Sequence, residues 1–330
     1  MAYGSYTYNR VQLGKETTSG TAVAADIIWR GPYGDIEDAR TRNIVEEQVG
    51  LIAVSERSYD SQLAAMLSMP ETEFTFEQAP HIFEASIGGA STGGTTGAYT
   101  YTYALPQSNT LNTLSTYTIE AGNAVVTGDV REMEYSFVES WTLSGRQGEA
   151  WKISANWRGR QVSESSFTGA LSLQAVEEAL FSKTSLYIDA TGGTIGSTQE
   201  TGVLVAASFD FTSGVVPVFT GDGQLYFTAH KFIRPTLNFT LTLELESTDT
   251  TVKEERDAYE ANSIRLIQLN CDGTSNRNLT IDMAAKYDSV GTYQDDNGNT
   301  TVQLSGHAVL STTDSEYFTA VITNALSALP

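Results

Sequence analysis

Apolar and polar residues alternate along much of this chain, and a period of two places successive side chains on opposite faces of a β-sheet. The clearest alternation covers residues 132–143 and resumes at residues 151–157, after a glycine-containing turn at residues 145–148. This spacing predicts a long β-hairpin with one apolar face. Three tryptophans occupy the apolar positions of that hairpin and are expected in the core: Trp141, Trp151 and Trp157.

A second alternating run covers residues 236–246, where threonine, asparagine and glutamate separate the apolar positions. It predicts a strand whose core side chains are Leu237, Phe239, Leu241 and Leu243. The pair Asn297-Gly298, at the end of an acidic turn, favours a tight hairpin connection. Shorter apolar or alternating runs predict further strands at residues 203–211, 224–228, 279–283 and 302–310.

Few segments have helical character. Residues 80–89 begin with a proline, which suits a first helical position, and end in two glycines, so they predict a short helix. A second helix is predicted over residues 251–262, since Thr251 and Glu254 have the spacing of a capping box. Residues 173–181 form a third and weaker candidate.

The order of predicted elements is similar in the two halves of the chain. A short helix near residue 80 precedes strands up to residue 160, and another near residue 255 precedes strands up to residue 311. This order predicts a mainly β fold with few short helices, made of two antiparallel β-sandwich or half-barrel units that a tandem duplication would explain. We expect the boundary within residues 161–184, which gives domains at residues 1–170 and 171–330.

The charge narrows the range of functions. Of 330 residues, 40 are Asp or Glu and 19 are Lys or Arg, so the net charge is −21. Binding to nucleic acid needs clustered cations that neutralise phosphates, and this balance disfavours it. No apolar run reaches the ~18 residues of a membrane helix and the first residues lack a signal-peptide core, so we expect synthesis in the cytoplasm and no membrane partner. The single cysteine, Cys271, is expected to be buried and inert.

The sequence lacks the usual catalytic motifs. It has three histidines and no nucleophile elbow, Walker A loop or strand-linked dinucleotide motif. His81 and Glu84 lie three residues apart on the predicted first helix, but two ligands are too few for a metal site. We therefore predict a protein without enzymatic activity, cofactor or metal.

Five segments in order carry a family resemblance: LGKETTSGTAVAADIIWRG (residues 13–31), FTFEQAPHIFEASIGG (74–89), AYTYTYALPQ (98–107), TYTIEAGN (116–123) and ESWTLSGRQGEAWKISANWRGR (139–160). Through these segments the first half resembles the major tail proteins, or tail tube proteins, of long-tailed bacteriophages. The second half resembles them more loosely, through residues 185–198 and the leucine-rich strand that follows. Residues 61–69 depart from the family pattern, because they have helical character where a strand and a loop are expected.

The resemblance implies a structural virion protein that polymerises as stacked rings into the hollow phage tail. Its implied partners are further copies of itself, a tape measure protein in the lumen, the tail terminator, the distal tail or baseplate proteins, and genomic DNA in transit without specific binding. If the two halves are duplicates, three chains would complete a pseudo-hexameric ring; otherwise six would be needed. A negative lumen would repel phosphates, so the genome would slide through it during ejection.

Carboxylates on polar positions of the long strands are the candidates for that lumen: Glu132, Glu134, Glu244, Glu246 and Asp282. In the opposite orientation the same side chains would face outer solvent. Two further functions stay open, namely another phage structural β protein, such as a capsid decoration protein or a tail terminator, and a carbohydrate-binding β-sandwich with tryptophan platforms. Packing of the hairpin tryptophans in the core counts against the last of these.

Overall fold

The computed structural model describes residues 4–53, 56–245 and 250–329. Antiparallel strands dominate these ranges, which confirms the predicted mainly β class. The strands of the first half are β1 Asn9–Lys15, β2 Ile27–Ile28, β3 Ile36–Asp38, β4 Thr41–Ile44, β5 Ser58–Gln62, β6 Ala65–Glu73, β7 Ser91–Thr95, β8 Ala98–Ala104, β9 Tyr117–Asn123, β10 Arg131–Arg146, β11 Lys152–Gly159 and β12 Ser163–Glu164.

The second half continues the numbering. Its strands are β13 Thr184–Ala190, β14 Gln199–Glu200, β15 Leu204–Thr212, β16 Val215–Val218, β17 Ala229–Phe232, β18 Thr236–Glu244, β19 Arg265–Asp272, β20 Asn278–Val290, β21 Gln294–Asp296, β22 Asn299–Ala308 and β23 Phe318–Asn324. Helix α1 spans Ala79–Ser86 and helix α2 spans Thr251–Glu260, with short 3-10 turns at Tyr6–Tyr8 and Phe181–Lys183. Within the described ranges, neither helix has the length and apolar character needed to cross a membrane.

Strand pairing follows the same order in both halves. The first half forms the antiparallel series β2–β1–β9–β10–β11–β6–β3, with β4 paired to β5. The second half forms β14–β13–β19–β20–β22–β18–β15, with β16 paired to β17. Helix α1 follows β6 just as α2 follows the counterpart strand β18. This matched order is what a tandem duplication would produce.

The longest strand of each half bends at a matching irregularity. In the ladder between β10 and β11 one residue, Glu139, has no cross-strand partner, and in the ladder between β20 and β22 the same is true of Asp288. Glu139 accepts a hydrogen bond from Arg158 Nε at 2.9 Å, while Asp288 lies 2.9 Å from His307 Nδ1. Such bulges redirect a strand, and here β10 pairs with β9 and β12 before the bulge and with β15 after it.

The bulge divides the predicted apolar face of β10. The hairpin of β10 with β11 is present, and its three tryptophans are 0–1% exposed. Trp141 and Leu143 enter the main core, whereas Tyr135 and Phe137 join a separate small cluster with residues that include Phe227. The single face predicted over residues 132–143 is therefore wrong, because the extra residue reverses the side-chain alternation.

The main core contains residues from both halves. The Trp141 ring of β10 stacks on the Phe211 ring of β15, with 4.9 Å between their centroids. The core side chains of β18, which are Leu237, Phe239, Leu241 and Leu243, are 0–2% exposed. The division at residues 170 and 171 stays a prediction, since one continuous core spans the predicted boundary.

Two secondary-structure predictions are wrong. Residues 173–181 are not helical, because neighbouring segments use their backbone groups: Ala179 donates its N–H to Phe74 and accepts from Trp151. Residues 224–228 form no strand, since Asp222 accepts hydrogen bonds from the backbone of Gln224 and the hydroxyl of Thr228 and holds them in a turn.

Three other predictions concern residues 61–69, helix α2 and the turn at residues 297–298. The helical character of residues 61–69 is not realised, because this segment belongs to β5 and β6 and its apolar residues alternate toward the core. Helix α2 is present, but its N-cap is Thr250 and not Thr251. The turn at Asn297-Gly298 joins β21 to β22 as predicted, with a positive φ at both residues.

Candidate functional site

Five neighbouring strands of the sheet separate the core from an open surface. They run in the order β8–β23–β20–β19–β13. In β20 the core side chains Leu279, Ile281 and Met283 are 0–2% exposed. The opposite side chains form what we call the polar face: Thr100, Thr102, Ala104, Thr319, Val321, Thr323, Asn278, Thr280, Asp282, Gln268, Asn270, Asp272, Ser185, Tyr187 and Asp189.

The polar face carries negative charge without positive charge. Three of its positions are aspartates and none is lysine or arginine, while Lys286, four residues further along the same side of β20, donates to Asn262 Oδ1 at 3.2 Å. Many of its polar groups bond to one another, as where Thr280 Oγ1 donates to Asn270 Oδ1 at 3.0 Å and the hydroxyls of Thr100 and Thr323 lie 3.1 Å apart. The face therefore lacks the cations that would hold a phosphate.

Asp282 lies at the centre of the polar face. Burial raises the pKa of its carboxyl, against a hydrogen bond from Gln268 Nε2 at 2.7 Å that lowers it. Glu316 lies close enough that, beside its own burial, the charge of Asp282 raises the pKa of the Glu316 carboxyl. Two neighbouring carboxyls of this kind repel each other and repel any further anion.

Glu132 is the counterpart of Asp282 in the first half. Each lies on the longest strand of its half, between the strand that precedes it in the chain and the final strand of that half. A later segment of the chain covers the row of cross-strand neighbours around Glu132. Thr168 donates to Glu120 from its N–H at 2.7 Å and from its hydroxyl at 2.6 Å, and Ser165 donates to Glu132 at 3.0 Å. The matching row around Asp282 is also contacted by neighbouring segments, since Gly196 lies against the Gln268 side chain and Glu316 accepts a hydrogen bond from the Thr319 hydroxyl at 3.1 Å.

Two of the remaining lumen candidates, Glu134 and Glu244, lie apart from the polar face. Glu134 is 7% exposed and accepts a hydrogen bond from Gln161 at 3.1 Å, and burial raises the pKa of its carboxyl. Glu244 lines an open cleft of about 610 Å³ that Arg146 also lines. Glu246 lies outside the described residues. The structure thus relates Glu132 to Asp282 and separates Glu134 and Glu244 from them, and the lumen assignment stays a prediction.

The residues considered for catalysis or metal binding do not converge. His81 is fully buried, and its Nδ1 lies 3.1 Å from the Tyr117 hydroxyl. Glu84 instead accepts a hydrogen bond from Ser115 at 2.9 Å and pairs with Lys15. Across the described ranges, no group of three or more His, Cys, Asp or Glu side chains is arranged to hold a metal ion.

Sequence reasoning missed a protruding hairpin, the arm, which we define as residues 41–62 and which contains β4 and β5. No described residue of the arm is buried. Its large apolar side chains are 58–107% exposed and are Ile44, Val49, Leu51, Ile52 and Tyr59. An exposed apolar cluster of this kind marks an interaction surface. The available signal was an apolar segment without strand alternation.

The described chain is thus a mainly β protein with two distinct surfaces, a polar sheet face without cations and an exposed apolar arm. No protein-family model matches the chain, and no curated protein matches it.

Proposed function

We propose that this chain is the subunit of a phage tail tube, a structural virion protein without enzymatic activity that polymerises as stacked rings around an acidic lumen. The polar face is the observation that carries the proposal. It combines a broad antiparallel sheet with aspartates, neutral hydroxyls and amides, and no cation. The tail-tube resemblance of the first-half segments supports the same conclusion.

A channel for DNA has to pass a polyanion without holding it. A face that bound phosphate would need arginine or lysine, because these side chains supply most of the affinity for the DNA backbone. The polar face offers carboxylates instead, and the net charge of −21 gives the whole subunit the same sign. Repulsion keeps the genome from adhering while it moves along the tube.

The matched strand order favours three chains in a ring over six. Each chain would supply two similar units, so three chains would form a pseudo-hexamer. The tape measure protein would occupy the lumen before ejection, and the tail terminator and the distal tail or baseplate proteins would contact the two ends. The assembled protein would belong to the virion.

The alternative of a carbohydrate-binding sandwich has little support. All four tryptophans are 0–6% exposed, so none offers a platform on which a sugar could stack. A capsid decoration protein or a tail terminator would share the β composition. The decoration protein would bind the outside of the capsid, and the tail terminator would form a single ring.

Negative-stain electron microscopy of the purified protein, across a concentration series, tests the proposal. We expect hollow, regularly striated tubes, and end views with threefold symmetry would support three chains per ring. Single rings that never stack would favour the tail terminator. Monomers at every concentration, even with an added initiator complex from the same phage, would contradict a tube subunit.

A second experiment tests the channel surface. We expect Asp282→Lys to leave tubes intact but to slow genome release, because a cation would attract phosphates. Asp257→Lys is the matched control, since Asp257 lies on the exposed side of α2 in an ion pair with Lys253. Equal release rates for both variants would place Asp282 outside the lumen.

A further inference from the structure

A strand of the second half joins the first half through β10. Residues 140–146 of β10 pair with residues 206–212 of β15, on the edge that β9 occupies before the bulge. The Trp141 and Phe211 rings stack across this ladder. The join therefore extends one sheet from the first half of the chain into the second.

The hairpin that follows β15 strengthens the same join. Strands β16 and β17 carry Val215 into the small cluster that also contains Phe227, Tyr135 and Phe137, and these side chains are 0–6% exposed. The Tyr135 hydroxyl lies 3.2 Å from His230 Nδ1 of β17. Strand β15 and the hairpin of β16 with β17 thus bind the same part of β10.

The first half contains a strand and a hairpin that are equivalent to β15 and its hairpin, but within the described part of the chain they have no strand edge to bind. By pairing order, β3 corresponds to β15, and the arm corresponds to the hairpin of β16 with β17. Among the described residues β3 pairs with β6 alone; no described strand pairs with its other edge, where Arg131 Nη1 donates to the Ile36 carbonyl at 3.1 Å. The apolar side chains of the arm are exposed, whereas Val215 and Phe227 of its counterpart are buried, with Leu225 there 45% exposed.

The second half has the same edge without a strand to fill it. Beyond Ala285, β20 pairs with β22 on one side, and no described strand pairs with the side that β19 occupies before that point. Tyr293, three residues after the end of β20, is 54% exposed, and Arg256 of α2 contacts its ring. An open strand edge is a template for a further strand.

We propose that β3 and the arm of one copy bind the open β20 edge of a second copy, and so repeat between chains the join that β15 makes with β10 within the chain. This inference rests on the proposed ring assembly and identifies the strands that form it. The contact is head-to-tail, so copies add in one direction until a ring closes.

The two bulges fix the register of the proposed ladder. Residue 140 follows the bulge of β10 and lies opposite residue 212, and residue 289 follows the bulge of β20. Tracing the paired strands from each bulge makes Ala39 the counterpart of residue 212. The expected neighbours across the interface are therefore Ala39 with Ser289, and Asp38 with Val290.

Disulfide cross-linking tests this register. An equimolar mixture of Ala39→Cys and Ser289→Cys chains, under mild oxidation, should give a covalent dimer, while neither variant alone should. Ala39→Cys mixed with Thr292→Cys is the displaced control and should cross-link far less. Ser140→Cys combined with Thr212→Cys in one chain is the internal reference, because these residues are already opposite each other.

The outcomes separate this inference from the tube itself. One outcome is that rings or tubes form without the Ala39 to Ser289 cross-link, or with equal cross-linking in the displaced control. Either result would contradict the proposed join between copies but not the proposed tube. The cross-link without any tube would support the join and contradict the tube. Failure of the cross-link in protein that does not assemble, while the internal reference forms, would overturn both.

The arm provides an independent test. Ile44→Asp should reduce assembly at least tenfold in the concentration required, with monomer stability unchanged, because Ile44 is 68% exposed in the single chain. Leu173→Asp is the matched control, since Leu173 is 66% exposed and lies outside the arm. Equal assembly of the two variants would show that the arm does not take part.

Discussion

A buried ion pair attaches α2 to the sheet and allows a quantitative prediction. Glu255 of α2 is 1% exposed. Its Oε2 accepts hydrogen bonds from Arg265 Nε of β19 at 2.9 Å and from the Tyr287 hydroxyl of β20 at 2.7 Å. Removing the carboxylate would leave a guanidinium whose side chain is 14% exposed and a buried hydroxyl without this acceptor.

The expected cost follows from that burial. Breaking a buried ion pair by removing one partner costs about 3 to 5 kcal/mol, because the remaining charge has lost both water and its partner. We therefore expect Glu255→Ala to lower the free energy of unfolding by about 3 to 5 kcal/mol. On the same helix, Asp257 pairs with Lys253 at 2.6 Å, but both side chains are more than half exposed. Asp257→Ala should cost no more than about 0.5 kcal/mol.

Urea unfolding of the monomer, followed by tryptophan fluorescence, measures both variants. Comparing the two variants isolates the effect of burial, since each replaces an acidic residue of the same helix with alanine. Adding Arg265→Ala to Glu255→Ala should recover part of the loss, because the stranded charge is removed. A loss for Glu255→Ala within about 1 kcal/mol of the Asp257→Ala value would refute the reasoning.

Three further predictions concern single buried residues. Burial lowers the pKa of His81 from 6.5 to about 3. Between these pH values the unfolded chain binds a proton at His81 that the folded protein does not, so the free energy of unfolding should fall by up to about 1.4 kcal/mol per pH unit from about pH 6.5 to about pH 3. Urea titrations measure this slope, which should be smaller in His81→Gln. An unchanged slope in that variant would contradict this assignment. Burial raises the pKa of Cys271 to about 11, so a thiol reagent at pH 8 should label it in urea only, and rapid native labelling would show an open site. Leu241→Asp should yield no soluble folded protein because Leu241 is fully buried, whereas Leu245→Asp should fold, since Leu245 is 39% exposed; folded Leu241→Asp protein would disprove the assigned face of β18.

The sequence predicted those elements in which local pattern and burial agree. Strand β18 alternates without interruption, so its four core residues could be read directly. Helix α1 has a proline in its first turn and glycines after its end, which are local signals. In both cases, neighbours along the chain carry the information.

The errors have a different origin. The bulge at Glu139 adds one residue to an otherwise regular alternation, and nothing in the local sequence marks it. Residues 173–181 look helical by composition, but Phe74 and Trp151, distant in sequence, bind their backbone in an extended form. The covered row around Glu132 likewise depends on a segment that follows it by more than thirty residues.

The open edge of β3 also explains how a single chain could avoid indiscriminate pairing. The edge strand is three residues long, and Arg40 beside it bonds Asp38 at 2.7 Å and Asp60 of the arm at 3.2 Å. Short length and charge are the features that discourage sheet edges from joining at random. Such an edge gains little from pairing alone, so the apolar side chains of the arm must supply most of the binding. A join of this kind requires strand and arm to engage together, which favours the one partner edge that accommodates both.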